Sequence, residues 1–267
     1  MNNITLSVVS HGQAHMVDHL FKDISIHSPK LNIILTKNIS EPVITKITDL
    51  KYLRLIKNIH SKGFGSNHNA AFQHCDSPFF CVVNPDIRLP NDPFPELLAC
   101  MNDPKVGLVA PRIITPNGKL EDNARYFPTP ANLAAKMLYR HPGHFPMQGK
   151  KTIPVDWVAG MFMLFRKEAF EAIGGFDEKF FLYYEDVDIC ARLWHAGWKV
   201  MLHPEVSVIH AAQRLSRRNL RYTAWHLSSM ARYFKKHLGK LPKIQPHHAI
   251  NLPRNPQPFP TKPPTTD

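Results

Sequence analysis

The stretch richest in reactive side chains is FFLYYEDVDICARLWHAGWKV, Phe180 to Val200, where Glu185, Asp186 and Asp188 follow a run of aromatics and open a helical pattern. Two readings fit these acids on their own. Carboxylates in a first helical turn complement the positive end of the helix dipole and face water. A carboxylate set against apolar side chains at the mouth of a pocket is instead a candidate general base. Another acid, Asp86, closes the apolar run PFFCVVNPD behind the stiff Asn84–Pro85 pair. A carboxylate there suits Mg2+ or Mn2+, hard cations that take oxygen ligands and keep substrate phosphates as partners. Asn-Pro-Asp is also a common way to leave a strand. His210 ends the run VSVIH and offers an imidazole to the same metal or to a phosphate. In GFGSNHNAA, Gly63 and Gly65 let backbone amides approach a ligand, and Asn67 and Asn69 suit a phosphate or ribose. The segment is neither a GxGxxG nor a Walker pattern.

These residues need elements to position them. ITLSVVS (Ile4 to Ser10) reads as a buried first strand, with His11 and Gly12 just past its end. Helical spacing from Val17 to Ile26 leads to LNIILT (Leu31 to Thr36), and LRLIKNI (Leu53 to Ile59) reads as a third strand. The glycine-bearing turn opens a helix before the fourth strand, Pro78 to Asp86. Strands alternating with helices predict a parallel, doubly wound α/β sheet. Ligands gather at the carboxyl ends of such strands, where Ser10, Thr36 and Asn84 to Asp86 would lie. Val106 to Ile114 and Val155 to Arg166 are further strand-like runs. The Pro-rich stretch of about 40 residues between them reads as an acceptor-side loop with one short helix, Ala131 to Tyr139. KEAFEAIGGF is a helix stopped by Gly174 and Gly175, the helix from Asp186 ends at Gly197, and WKVMLHP leads into the strand ending at His210.

The bulk properties narrow the class. No run reaches the ~20 apolar residues of a membrane span and the N-terminus lacks a signal-peptide profile, so a cytoplasmic location is expected. Cys75, Cys81, Cys100 and Cys190 form no CxxC pair and read as reduced core thiols. The net charge of +12 implies a polyanionic partner: nucleic acid, an anionic membrane or a phosphorylated substrate. The Lys and Arg form no nucleic-acid-binding pattern, so nucleic acid is not expected, and a non-catalytic basic binding protein is the reading from another class. From Arg217 to Leu238 the chain reads as a basic amphipathic helix for the cytoplasmic face of the inner membrane. Tyr222, Trp225, Met230, Tyr233 and Phe234 would settle at the headgroups, with Arg217, Arg218, Arg221, Arg232, Lys235 and Lys236 as the charge.

In order, the chain offers Ser-His-Gly after a first strand, GFGxNxN, an apolar run ending in NPD, VDWVAGxFMLFR, GGFDExFFLYYEDVDxCxRLxxAG and VIH. This resembles the glycosyltransferase family 2 enzymes with a GT-A fold, and within them the bacterial rhamnosyltransferases of O-antigen and related surface polysaccharides. The resemblance runs from about Ile4 to Leu238. It implies a glycosyltransferase domain over 1–213, with a nucleotide-sugar half to about residue 100 and an acceptor half beyond it. A basic helical region over 214–241 and a disordered Pro-rich tail over 242–267 would follow. By resemblance, Asp86 stands in the metal-binding motif, His210 contacts metal or diphosphate, Asp186 is the base of an inverting transferase and Glu185 helps position it. Ser10, His11, Asn38, Gly63, Phe64, Gly65, Asn67, Asn69 and Asn84 would join Asp86 around the nucleotide, and the aromatics before Glu185 would line the sugar pocket. Asp188 keeps the role of a helix-turn acid. The expected donor is dTDP-L-rhamnose, or another UDP- or dTDP-sugar, and the acceptor a lipid-linked saccharide. Two positions depart from the family: Lys37 stands where an acid helps read the nucleobase, and Ser61 replaces an Asn.

Overall fold

The computed structural model describes residues 3–41, 52–133, 152–211, 220–242 and 244. The predicted helix from residue 131 is therefore described only over 130–133, and Arg217, Arg218 and residues 245–267 lie outside the described residues.

One sheet organises the chain. Its first four strands are β1 (Ile4–Ser10), β2 (Asn32–Lys37), β3 (Leu53–Lys57) and β4 (Phe79–Val83), parallel in the order β3-β2-β1-β4. All but one residue of β1 is buried, as expected for an apolar strand covered on both faces. Helix α1 (Ala14–His27) crosses from β1 to β2 and buries Met16, Val17, Leu20, Phe21 and Ile24, which fall on one helical stripe. With α3 (Phe94–Cys100) it covers one face of the sheet. Helix α2 (Phe64–Phe72), between β3 and β4, covers the other face.

Beyond β4 the sheet turns mixed. After the short β5 (Ile87–Arg88), β6 (Val106–Ile114), β7 (Ala124–Arg125), β8 (Ile153–Pro154) and β9 (Trp157–Val158) come β10 (Phe162–Arg166) and β11 (Lys199–His210). β10 lies antiparallel between β4 and β6, so the sheet is largely rather than wholly parallel. β11 runs parallel to β6 and carries β5 and β8 antiparallel. The two runs read as WKVMLHP and VSVIH are one strand, shifted in register between His203 and Ser207. Pro204 and its neighbour Pro111 on β6 have no amide for the ladder there.

The run from Val155 to Arg166, expected as one strand, breaks at Gly160: β9 pairs with β7 in a small sheet of its own and β10 enters the large one. Helix α4 (Lys167–Ala172) ends before Gly174 and Gly175, both at positive φ. Helix α5 (Glu185–His195) is buried nearly all round. Helix α6 (Leu220–His237) completes the core on that face: Tyr233 is fully buried, with Phe234, Leu241 and Ile244 packed alongside. The C-terminal helix is thus part of the domain rather than an appendage.

Candidate active site

Asp86 sits where β4 gives way to β5. The antiparallel pairing of Ile87 with His210, and the bond from Ala211 N to the Asp86 carbonyl at 2.8 Å, lay Asp86 against the end of β11. The two side chains meet, with Asp86 Oδ2 3.1 Å from His210 Nε2. His210 Nδ1 is bonded to Glu121 Oε2 at 2.5 Å. Burial opposes charge on the imidazole, but Asp86 and Glu121 outweigh it and hold its pKa above the ordinary 6.5. Asp86 Oδ1 is buried and has no hydrogen-bond partner. Among the described residues no three His, Cys, Asp or Glu side chains are grouped to hold a metal by themselves. A hard cation that takes most of its oxygens from a diphosphate and water asks less of the protein: one or two ligands. A partnerless Asp86 oxygen beside His210 fits that demand.

Glu185 and Asp186 open α5 in different environments. Glu185 is buried, its Oε2 has no partner, and burial followed by the charge of Asp186 pushes its pKa well above 4.5. Asp186 keeps an exposed edge. Its Oδ2 accepts the Gly160 amide at 3.1 Å and its Oδ1 the Val187 amide at 2.9 Å. Burial raises its pKa, while those amides and the charge of Arg125 pull the other way. Arg125 itself pairs with Asp122 and lies over the Trp157 ring. Asp186 is therefore the partly exposed residue of the pair, held by backbone amides with a cation nearby.

Two expectations need correction. Asp188 is no solvated helix-start acid. It is fully buried among Arg192 Nε (2.7 Å), Lys236 Nζ (2.7 Å) and His237 Nε2 (2.8 Å). Despite burial, the hydrogen bond from His237 and the charges and hydrogen bonds of Arg192 and Lys236 hold its pKa down at about 2. The aromatics before Glu185 do not all line a pocket: Phe180 is buried in the core, whereas Phe181 is exposed, packs on Trp225 and lines a cavity with Gly63, Ser66 and Asn69. The segment from Gly63 to Asn69 also packs closely on its neighbours. The Phe64 amide donates to the Phe181 carbonyl at 2.9 Å, and a Cβ on Gly65 would lie 2.6 Å from Phe176 Cβ. Asn69 spends both amide ends on Phe176 and Glu178.

Asn67 and Asn38 make hydrogen bonds within the chain. Asn67 donates to the carbonyls of Lys62 and Gly63 and accepts from Asn58, which donates to Asn38 as well. Asn38 further bonds both the amide and the carbonyl of Lys62 and meets His11 at 3.2 Å. The Asn84 amide is bonded to the Met161 carbonyl. At the ends of β1 and β2, Ser10 donates to Glu41 Oε2 at 2.8 Å, and Lys37 reaches the Glu41 carbonyl. An acid therefore stands near the position that Lys37 fills, four residues later in sequence. Sequence reasoning missed Glu121, Arg125 and Gly160. Only the last left a signal, a glycine interrupting an apolar run.

A largely parallel sheet with one carboxylate at the β4 end and a carboxylate pair on a buried helix has the GT-A architecture. The chain belongs to the glycosyltransferase like family 2, whose model matches residues 39–236. It is 27% identical over 250 residues to the rhamnosyltransferase WbbL of Escherichia coli (strain K12), covering 87% of this chain and 93% of WbbL. It is 33% identical over 142 residues to the N-acetylglucosaminyl-diphospho-decaprenol L-rhamnosyltransferase of Mycobacterium tuberculosis (strain CDC 1551 / Oshkosh). That match covers 48% of this chain and 45% of the relative, so the chain spans less than half its length. The fold is similar to mannosyltransferase PcManGT from Pyrobaculum calidifontis, solved in complex with GDP-Man and Mn2+. The TM-score is 0.61 at 16% identity, over 88% of this chain and 63% of that one.

Proposed function

We propose that this glycosyltransferase inverts the anomeric centre of L-rhamnose as it moves the sugar from dTDP-L-rhamnose to a lipid-linked saccharide. The carrying observation is the asymmetry of the acidic pair: a buried Glu185 beside an Asp186 that keeps an exposed edge and two amide bonds. One accessible carboxylate can take the acceptor's hydroxyl proton, and a single base with no carboxylate nucleophile gives one displacement. Burial and the charge of Asp186 raise the pKa of Glu185, which disfavours a second negative charge beside that base. Asp86 and His210 would hold a divalent cation, which when bound supplies positive charge against the leaving diphosphate. The rhamnosyl donor is supported by the likeness to WbbL along nearly its whole length. The acceptor class is supported by the mycobacterial relative, whose acceptor is a diphospho-decaprenol.

The test is transfer from a panel of nucleotide sugars, with Mn2+, with Mg2+ and with neither, reading product configuration by NMR. Metal-dependent transfer of rhamnose with inversion is expected, and calorimetry should show Asp86→Ala weakening metal-dependent nucleotide binding. Turnover of a different sugar, or a retained configuration, would overturn the reading.

The membrane reading survives in smaller form. Tyr233 and Phe234 pack on the domain, and Lys236 is taken by Asp177 and Asp188. The outward face of α6 and the residue after it still present Leu220, Leu227 and Leu238 with Arg221, Arg232 and Lys235. That face supports a peripheral position on an anionic leaflet, where a lipid-linked acceptor resides. No helix among the described residues is long and apolar enough to cross a membrane.

A further inference from the structure

Tyr183 and Tyr184, directly before the acidic pair, have φ of 71° and 64° and are the non-glycine residues at positive φ among those described. Side chains with a Cβ enter this region at a cost, and two in succession persist only where their surroundings over-determine them. Helix α6 supplies much of those surroundings. Ser229, itself buried, donates from Oγ to the Leu182 carbonyl at 2.9 Å, fixing the peptide just before the strained pair. The His226 ring meets the edges of Tyr183 and Tyr184 at 5.3 and 5.4 Å. Tyr233 lies 5.3 Å from Tyr184. On either side of the turn, Trp225 stacks on Phe181, Lys236 bridges Asp177 and Asp188, and His237 bonds Asp188.

We infer that α6 is a clamp on this turn and that Ser229 is a positioning residue for the base. The inference rests on Asp186 being that base. Tyr184 is the residue from which α5 springs, and its carbonyl accepts the Asp188 amide at 2.9 Å. Relaxing Tyr183 and Tyr184 toward negative φ would rotate the peptide planes leading into Glu185 and Asp186. Asp186 Oδ2 would then leave the Gly160 amide, and the helix start would no longer present one acid outward and the other inward. Because α6 reaches the turn through its own side chains, the helix seats the base without touching substrate.

The experiment uses the full chain carrying Ser229→Ala, which deletes one hydroxyl and little packing. Three readouts are taken: steady-state kinetics, melting temperature, and amide exchange of residues 182–188. The expected result is about tenfold lower kcat, the scale of one lost hydrogen bond. Donor KM should stay within about twofold. Exchange in 182–188 should rise while the strands of the sheet exchange as before. Unchanged exchange in 182–188 would overturn the clamp, as would a lower kcat accompanied by a raised donor KM and faster exchange throughout the sheet, the mark of a merely structural residue. The exchange readout needs no substrate, so the two ideas fail separately: a wild-type protein that transfers no sugar sinks the base assignment and leaves the clamp test intact.

Discussion

Glu185 and Asp186 are neighbours in sequence and opposites in solvation, and that contrast is where single-residue tests bite. Asp186→Asn keeps the shape and, with its single accepting oxygen, one of the two bonds from the Gly160 and Val187 amides, but it cannot take a proton. Transfer should fall about 10²–10⁴-fold with donor affinity unchanged, measured by kinetics and calorimetry on one preparation. Glu185 makes a prediction about stability. Its folded pKa lies above the ordinary 4.5, so the folded state holds its proton more tightly than the unfolded chain does. Its contribution is fully present below that ordinary value and is lost as pH rises through the folded pKa. Glu185→Gln should therefore melt close to wild type in acid and progressively above it toward about pH 8. A gap that stays constant with pH would show that Glu185 is not held protonated. The acidic pair and Asp86 were legible in the sequence through the order of the motifs around them, since alone each also reads as a helix-start acid or a turn. Glu121 and Arg125 were not, since each is a common surface residue until the chain folds it against His210 or Asp186.

At the level of elements, α5 and α6 are joined by a buried charge cluster. The folded pKa of Asp188 is below the ordinary 3.8, so its stabilisation is present above that value and is lost as pH falls toward 2. Asp188→Asn should cost about 2–3 kcal/mol near neutrality, because it removes the buried counter-charge of Arg192 and Lys236. The deficit should narrow as wild type is titrated from pH 4 toward 2; a deficit that is flat across that range would argue against the cluster. Sequence could not reveal this link, since Lys236 and His237, the partners of Asp188 on α6, lie about 50 residues downstream and a helix-start acid has a cheaper explanation. The glycines at the start of α2 have a packing role that the sequence did not signal: they let the helix approach residues 176–181 closely. Gly65→Ala should destabilise the fold by about 1–3 kcal/mol through overpacking against Phe176, read as a lower melting temperature. An unchanged melting temperature would argue against that close contact.

Across the whole molecule, the alternation of strands and helices was readable from apolar runs as far as β4, because parallel strands covered on both faces are written as continuous hydrophobic segments. The antiparallel insertion of β10 was not, since its sequence is as apolar as a parallel strand and only pairing sets direction. The surface poses a test of its own. Wild type should float with anionic vesicles at low salt, each exposed cation contributing about 1 kcal/mol near the leaflet. Joint Arg221, Arg232 and Lys235→Glu changes should abolish flotation, and equal flotation of both proteins would remove the membrane from the account. The position of α6 has a further consequence, in time. It follows every strand in chain order, yet it holds the turn in front of the base. During synthesis Asp86 and then Asp186 emerge from the ribosome well before Ser229 does. On the clamp reading, a nascent chain carries every reactive group of the site while still lacking the part that seats its base, so transfer begins only once translation has passed Ser229.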